Sequence, residues 1–388
     1  MNAGLRRLGY DGFREGQRRA VEMLIGERRL LFVAPTGGGK SLVYQLTACL
    51  LSGTTIVVSP LIALMNDQVM ALERRGIPAT FLASTLAPDE LGRRIGAFAR
   101  GAYKLVYVAP ERLAFSGFQA LLSEISCPLV AIDEAHCISE WGHDFRPEYM
   151  QIDRVLARLP KARVLACTAT ATPVVRDEIL SKLRLPADTP QLIRGFERPN
   201  LVLRAREVQS ASEGRKQTDA MLREVLGGPA QASSRRSGSR ASAPKAAPRQ
   251  GTAIIYGPTR KSCEAEAERL REEGWLADTY HAGLAPKDRE RVQASFTQGE
   301  LQVVVATNAF GMGVDRSDVR AVIHLAPPGS IEAYYQEVGR AGRDGQTSHG
   351  LLLSSPKDIA LRRRLLEADT DGRTPDPTLV EHKWNMFL

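Results

Sequence analysis

Leu30-Leu31-Phe32-Val33-Ala34-Pro35-Thr36-Gly37-Gly38-Gly39-Lys40-Ser41 begins as an apolar run and ends in a glycine-rich turn bearing a cation and a hydroxyl. Four consecutive apolar residues read as a strand buried on both faces, and the periodic stretch from Ser41 to Leu51 reads as a helix. Strand, glycine turn and helix in that order make a phosphate cradle. Gly37, Gly38 and Gly39 let backbone N–H groups of the turn, Thr36 included, close round the β- and γ-phosphates of a nucleotide. The helix N-terminus adds its positive end, Lys40 meets the phosphate charge, and Ser41 can ligate Mg²⁺. The strict pattern for such a loop has glycine where Ala34 stands; a small residue still leaves room for the turn.

Outward from the cradle the same alternation continues. Thr55–Val58, Leu105–Val108, Leu129–Ile132 and Val164–Ala166 read as further buried strands, separated by helical stretches at Leu61–Arg75, Pro88–Arg100 and Pro147–Leu159. This is an α/β layout with a parallel sheet. The pattern breaks near Gly195–Asn200 and resumes with strands at Ala253–Tyr256, Gln302–Ala306 and Ala321–His324. The expectation is a first domain over 1–200, a second, similar domain over 201–355 with no visible sequence repeat, and a helical tail over 356–388.

The 388 residues suit two or three domains of roughly 100 to 200 residues each. With 43% hydrophobic and 25% charged residues, the composition excludes a largely disordered or fibrous chain. The net charge of +8 invites an anionic partner, but Arg235, Arg236, Arg240, Lys245 and Arg249 lie in the single stretch 227–250, which has no acidic residue. That stretch, rich in Ser, Ala, Pro and Gly, is expected to be a disordered insertion: a solvated linker, or a segment whose arginines graze phosphates. A basic groove must therefore be argued from sites and not from net charge. Five cysteines fall singly, without a zinc-binding pair or a disulfide framework, and no stretch approaches the about 20 apolar residues of a membrane span, so a cytoplasmic protein is expected.

Two further stretches carry chemistry. Asp133-Glu134-Ala135-His136 follows the Leu129–Ile132 run, at the carboxyl end of a strand, where crevices open in parallel sheets. Asp133 can hold Mg²⁺ while Glu134 orients and deprotonates a water. In the second half, Gln336-Glu337-Val338-Gly339-Arg340-Ala341-Gly342-Arg343-Asp344-Gly345 places two arginines three apart, on one helical face or in one loop. Presented to a γ-phosphate, Arg340 and Arg343 would stabilise transition-state charge.

The order of these three sites resembles the RecQ family of DNA helicases, two-lobed motor ATPases, from about Leu5 to Ser355. Gly9–Gln17 is similar to the family's adenine-reading motif, which implies Gln17 on the adenine edge and Tyr10 and Arg14 about the base. Ser59–Gln68, Val108–Leu113, Thr168–Thr172, Phe196–Leu201, Tyr280–Leu284 and Ala306–Asp315 match as well. The resemblance implies two tandem RecA-like doubly wound parallel-sheet domains with ATP in the cleft between them, Gly313 and Asp315 among the nucleotide-binding residues, and DNA-backbone contacts at Ser59 and Thr307. Directly after the acidic box comes Cys137–Pro147, the segment that sets this family apart from RNA-directed relatives. There Trp141 and Phe145 offer stacking faces for unpaired bases and Arg146 can meet phosphate or base, unless the two rings simply cap the core.

The implied function is ATP-dependent, 3′-to-5′ movement on single-stranded DNA with duplex unwinding, in repair or recombination. The implied cofactors are ATP and Mg²⁺. The implied partners are single-stranded and tailed duplex DNA, acted on by a monomer at the nucleoid, without a membrane. Family members generally continue into a cysteine-ligated zinc module and a winged-helix domain. No cysteine follows Cys263, so no zinc is expected in this chain and unwinding is the less supported part. An ATPase clamp without robust unwinding, and a motor on RNA, remain open beside it.

Overall fold

The computed structural model describes residues 1–35, 37–139, 145–195, 197–229, 251–310, 316–367, 380, 381 and 384. Of the residues singled out above, Thr36, Trp141, Gly313 and Asp315 lie outside this set, as do residues 230–250 of the basic insertion. The chain divides into two units, Met1–Phe196 and Glu197–Leu388, close to the boundary expected near residue 200.

The first unit is built on seven strands: β1 (Arg29–Val33), β2 (Thr55–Val58), β3 (Ala79–Leu82), β4 (Leu105–Val108), β5 (Leu129–Ile132), β6 (Arg163–Thr168) and β7 (Gln191–Ile193). All pair in parallel, in the order β3-β4-β2-β5-β6-β1-β7. Parallel neighbours require crossovers, and helices cover both faces. Period-two alternation then splits each strand between two cores: Leu30 and Phe32 join Val57 and Ala131 on one side, while Leu31 and Val33 join Ile56, Val58, Val130 and Ile132 on the other. Both sets are almost fully excluded from solvent, which is why these strands read as unbroken apolar runs.

The second unit has six strands: β8 (Leu201–Glu207), β9 (Thr252–Tyr256), β10 (Ala277–Tyr280), β11 (Val303–Ala306), β12 (Val319–His324) and β13 (Ser348–Ser354). They are again all parallel, in the order β10-β11-β9-β12-β13-β8. Counted from each unit's own first strand, both sheets run third, fourth, second, fifth, sixth, first. The duplication expected without a sequence period is therefore present in topology, and the first unit adds only β7 at its edge.

Five strands escape the sequence reading, each for a physical reason. Ala79–Leu82 is a four-residue strand following a proline, and Ala277–Tyr280 carries an aspartate and a threonine. Gln191–Ile193 and Leu201–Glu207 are edge strands without a buried face, and Ser348–Ser354 contains Ser348 and Gly350. One expected helix is corrected: Pro147–Leu159 is a 3₁₀ turn, Pro147–Gln151, followed by the short helix Ile152–Arg158. The buried Tyr149 in the turn is tied to the acidic box, its hydroxyl donating to the Asp133 carbonyl at 2.8 Å. Among the described residues no helix is long and apolar enough to cross a membrane.

Candidate active site

In the first unit the strands β5, β6 and β1 are consecutive neighbours, so the segments leaving their carboxyl ends meet. These are the acidic box after β5, Thr168-Ala169-Thr170 at the end of β6, and the phosphate loop after β1. The Ala34 N–H donates to the Thr168 carbonyl at 3.0 Å, which extends the β1–β6 pairing into the loop. The topology thus joins segments that the sequence keeps far apart.

The loop needs its glycines. Gly37 and Gly39 have φ of +78° and +74°, in the left-handed region, and a Cβ on Gly38 would sit 2.8 Å from the Pro35 carbonyl oxygen. Gly39 leads directly into the helix Lys40–Leu50, whose N-terminus is aimed at the loop. The Lys40 ammonium donates to the Ala34 carbonyl at 3.1 Å, and Ser41 follows in the first turn of the helix, half-buried.

Gln17 and Arg14 stand against this loop. Gln17 is 2% exposed; its Nε2 donates to the carbonyls of Gly38 (3.2 Å) and Gly39 (3.0 Å), while its Oε1 accepts from the Arg14 N–H at 2.8 Å. The Arg14 guanidinium donates to the Gly37 carbonyl. Tyr10 is 39% exposed, with the Arg75 guanidinium 5.4 Å from its ring centre. In this arrangement Gln17 ties the phosphate loop, through Nε2, to the Arg14 backbone, through Oε1, and Tyr10 and Arg14 are exposed.

At the acidic box, Asp133 is 7% exposed and Glu134 takes the left-handed conformation, φ +48°, unusual for a residue with a side chain. Strain of this kind is tolerated where the surroundings enforce it, and it occurs often at functional sites. The neighbouring bonds provide that enforcement. The Asp133 N–H donates to the Val58 carbonyl at 2.8 Å and the Glu134 N–H to Asp133 Oδ1 at 3.1 Å. His136 Nδ1 lies 2.9 Å from Thr168 Oγ1, whose own proton goes to the Thr170 carbonyl at 2.9 Å. Nδ1 is therefore the donor, and the same nitrogen is 3.4 Å from Glu134 Oε2. Through His136 the acidic box is tied to the end of β6.

Burial, and then the adjacent Glu134 charge, push the Asp133 carboxyl up to about 7, while the Lys40 ammonium pulls it down. Two close carboxylates with so little compensation are oxygen donors of the kind that fit a hard divalent cation. A stability consequence follows. Asp133 ionises near pH 3.8 when unfolded and near 7 when folded, so the folded state holds the extra proton between these values and stability falls as pH rises through that window. Asp133→Asn should lack this slope. Urea midpoints measured without metal at pH 4.5 and 7.5 should converge with wild type at the lower pH and favour the variant at the higher; parallel shifts would contradict the assignment.

The remaining first-unit residues are distributed as follows. Ser59 is buried, with its N–H on the Val108 carbonyl at 3.2 Å and its Oγ making no hydrogen bond, so it does not face solvent as a DNA contact would. Phe145 and Arg146 are half-buried, and an Arg146 Nη1 donates to the Pro60 carbonyl at 3.3 Å, linking the segment after the acidic box to the Ser59-Pro60 turn.

In the second unit Thr307 is half-buried directly after β11, its N–H on the Tyr280 carbonyl at 3.2 Å. Of the two alternatives for the arginines, the loop is found: the helix Ile331–Val338 stops short of both, and Arg340 and Arg343 lie in the turns beyond it. Arg340 is 8% exposed, and its Nε makes no hydrogen bond. Burial pushes the neighbouring Tyr256 hydroxyl up to about 12 against the opposing pull of the Arg340 and Arg343 charges. Below the turn, the buried His324 bonds Glu337 at 2.8 Å and stacks on Tyr256, ring centres 5.2 Å apart.

Roles for Arg198, Asn200 and His136 escape the sequence reading. Arg198 and Asn200 lie in a segment matched only as part of a pattern, and His136 closes the acidic box without a role of its own. For His136 a signal was available, since a histidine three residues after a strand-ending aspartate sits at the same sheet edge as Thr168.

Residues 14–178 match the DEAD/DEAH box helicase family and residues 245–345 the helicase conserved C-terminal domain. The chain is 43% identical over 361 residues to the ATP-dependent DNA helicase RecQ of Bacillus subtilis strain 168, covering 92% of this chain and 56% of that protein. It is 37% identical over 364 residues to the probable ATP-dependent DNA helicase RecS of the same organism, covering 93% of this chain and 68% of that protein. The chain thus spans about half the length of the first of these relatives and about two thirds of the second. Among solved structures, the Mycobacterium smegmatis helicase Lhr bound to ssDNA and AMP-PNP matches with a TM-score of 0.65 at 21% identity, covering 94% of this chain and 49% of that one. That likeness speaks to fold.

Proposed function

The chain belongs to the RecQ family of DNA helicases, and from that premise we propose that it is a motor coupling ATP hydrolysis to 3′-to-5′ movement along single-stranded DNA and to duplex unwinding, in repair or recombination. The observation that carries the chemistry is the meeting of the phosphate loop, Thr168 and the Asp133–Glu134 pair at the carboxyl ends of three neighbouring strands. Phosphoryl transfer to water needs a phosphate cradle, a cation site and a group that orients the attacking water, and each has a candidate there.

In this reading Lys40 and the loop N–H groups bind the phosphates. Ser41 and Asp133 would hold Mg²⁺, which when bound neutralises phosphate charge. Glu134 orients the water and accepts its proton. Thr36 belongs to the same loop, Tyr10, Arg14 and Gln17 serve the base side, and Gly313 and Asp315 of the second unit line the nucleotide. Arg340 and Arg343 act on the γ-phosphate. DNA is held at Thr307 and by the segment from Trp141 to Arg146, whose covalent continuity with Glu134 provides a route from strand occupancy to hydrolysis. The partners are single-stranded and tailed duplex DNA, the protein works as a monomer, and its place is the cytoplasm at the nucleoid.

Base stacking is worth about 1 to 3 kcal/mol per base. Trp141→Ala should therefore lower the DNA-stimulated ATPase rate about 10-fold with a smaller change in the DNA-free rate; equal losses in both would assign Trp141 to packing. The proposal as a whole is tested by ATP-driven strand displacement on a duplex with a 3′ tail, against a 5′-tailed duplex and an RNA of equal length. Displacement confined to the 3′-tailed DNA is expected. Movement without displacement would leave a translocase, and equal response to RNA would overturn the DNA assignment.

A further inference from the structure

The helix Ile331–Val338 ends before Arg340 and is closed by the backbone that follows, the Gly339 N–H donating to the Tyr335 carbonyl at 3.0 Å and the Ala341 N–H to the Val338 carbonyl at 3.1 Å. The carbonyls of the turn beyond it take their partners from a segment about 140 residues earlier in the chain. Arg198 Nη1 donates to the Gly339 carbonyl at 3.3 Å, and its Nη2 donates to the carbonyls of Ala341 (2.9 Å) and Gly342 (3.0 Å). Asn200 Nδ2 donates to the Gly342 carbonyl at 2.8 Å and the Gln346 carbonyl at 2.9 Å, and the Asn200 carbonyl accepts from the Ser348 N–H at 2.9 Å. Gly339 and Ala341 are the two neighbours of Arg340, and Gly342 precedes Arg343. One guanidinium therefore grips the backbone on both sides of Arg340.

We propose that Arg198 and Asn200 are positioning residues for ATP hydrolysis: together they clamp the turn Gly339–Gln346 so that Arg340 and Arg343 are held ready for the γ-phosphate. This rests on the reading of Arg340 given above. The planar fork of arginine suits the task, because it reaches three carbonyls at once with little loss of side-chain freedom per bond. Gly342 shows how closely the clamp fits. It has φ +62°, and a Cβ there would lie 2.3 Å from Asn200 Nδ2. From the other side Arg320 pairs with Asp344 through both guanidinium nitrogens, closing the loop's far end. Unit 2 begins at Glu197, so the strand of chain that joins the units also holds the arginine turn.

The test uses the full chain as wild type, Arg198→Ala, Asn200→Ala, Gly342→Ala, Arg340→Ala and the double variant Arg198→Ala/Arg340→Ala. Readouts are kcat and KM for ATP at saturating single-stranded DNA, affinity for a fluorescent ATP analogue, and the thermal midpoint. A misplaced catalytic group can cost up to about 100-fold. Arg198→Ala should lower kcat about 10- to 100-fold with KM and analogue affinity within about 3-fold of wild type, and Asn200→Ala should lower it less. The double variant should lose less than the product of the two single losses, because part of the clamp's effect passes through Arg340. If Arg198→Ala is unstable, Gly342→Ala, which displaces Asn200 while leaving Arg198 in place, must show the smaller kcat-only loss expected of Asn200→Ala. Wild-type kcat in folded Arg198→Ala and Gly342→Ala, or a clamp loss that multiplies fully with that of Arg340→Ala, overturns the proposal. Wild-type kcat in Arg340→Ala instead overturns the reading of Arg340 beneath it.

Discussion

Glu134→Gln is expected to bind ATP normally and to hydrolyse it about 10² to 10⁴ times more slowly, the usual contribution of a positioned general base. The substitution preserves size and can keep the left-handed backbone at φ +48° as well as glutamate does, since the two side chains are alike up to the terminal group. What it removes is the acceptor for a proton. The hydrogen bond from His136 Nδ1 to Thr168 Oγ1 does not use the Glu134 side chain, so that tie is retained and the site should not unravel. Single-turnover hydrolysis and equilibrium binding of labelled ATP separate the two effects. Lys40→Ala is the informative contrast: it deletes the cation of the cradle and should lose nucleotide affinity first. A Glu134→Gln protein that turns over at the wild-type rate would remove Glu134 from the chemistry.

Arg340→Ala carries the other large effect. An arginine that meets the γ-phosphate in the transition state contributes about 10³ to 10⁵ in rate where it has that role, and the loss should fall on kcat with ATP affinity little changed. Arg340→Lys should recover little, because an ammonium is a single point charge and cannot reproduce two parallel donors. The second unit should still fold, since the His324–Glu337 bond, the Tyr256–His324 stack and the Arg198 contacts do not use the Arg340 side chain. Circular dichroism and thermal melting check this. A Tyr256 hydroxyl no longer faced by that guanidinium is the one local change to expect.

The sequence disclosed the nucleotide chemistry better than the architecture around it. Strands β1, β2, β4, β5, β9, β11 and β12 are internal and buried on both faces, so they appear as apolar runs. Edge strands β7 and β8, and the polar β10, lack that signature. The phosphate loop and the acidic box were legible because each is a local pattern at a strand end, and a sheet order that puts β6 between β5 and β1 brings them together. What could not be read was long-range bracing. Nothing local marks Gln17 as a strut for Gly38 and Gly39, Arg198 as a clamp on a turn about 140 residues away, or Ser59 as buried. Such contacts depend on the closed fold, and a pattern match gives them no physical role.

The proposed motor makes ATP hydrolysis depend on a bound DNA strand. Phosphate release from wild type at saturating Mg²⁺ and ATP, measured with and without a single-stranded oligonucleotide, tests it most directly. Release should be slow without DNA and at least about 10-fold faster with it, and that stimulated rate should be lost in both Glu134→Gln and Arg340→Ala. A rate that DNA leaves unchanged, or one that persists in either variant, would contradict it.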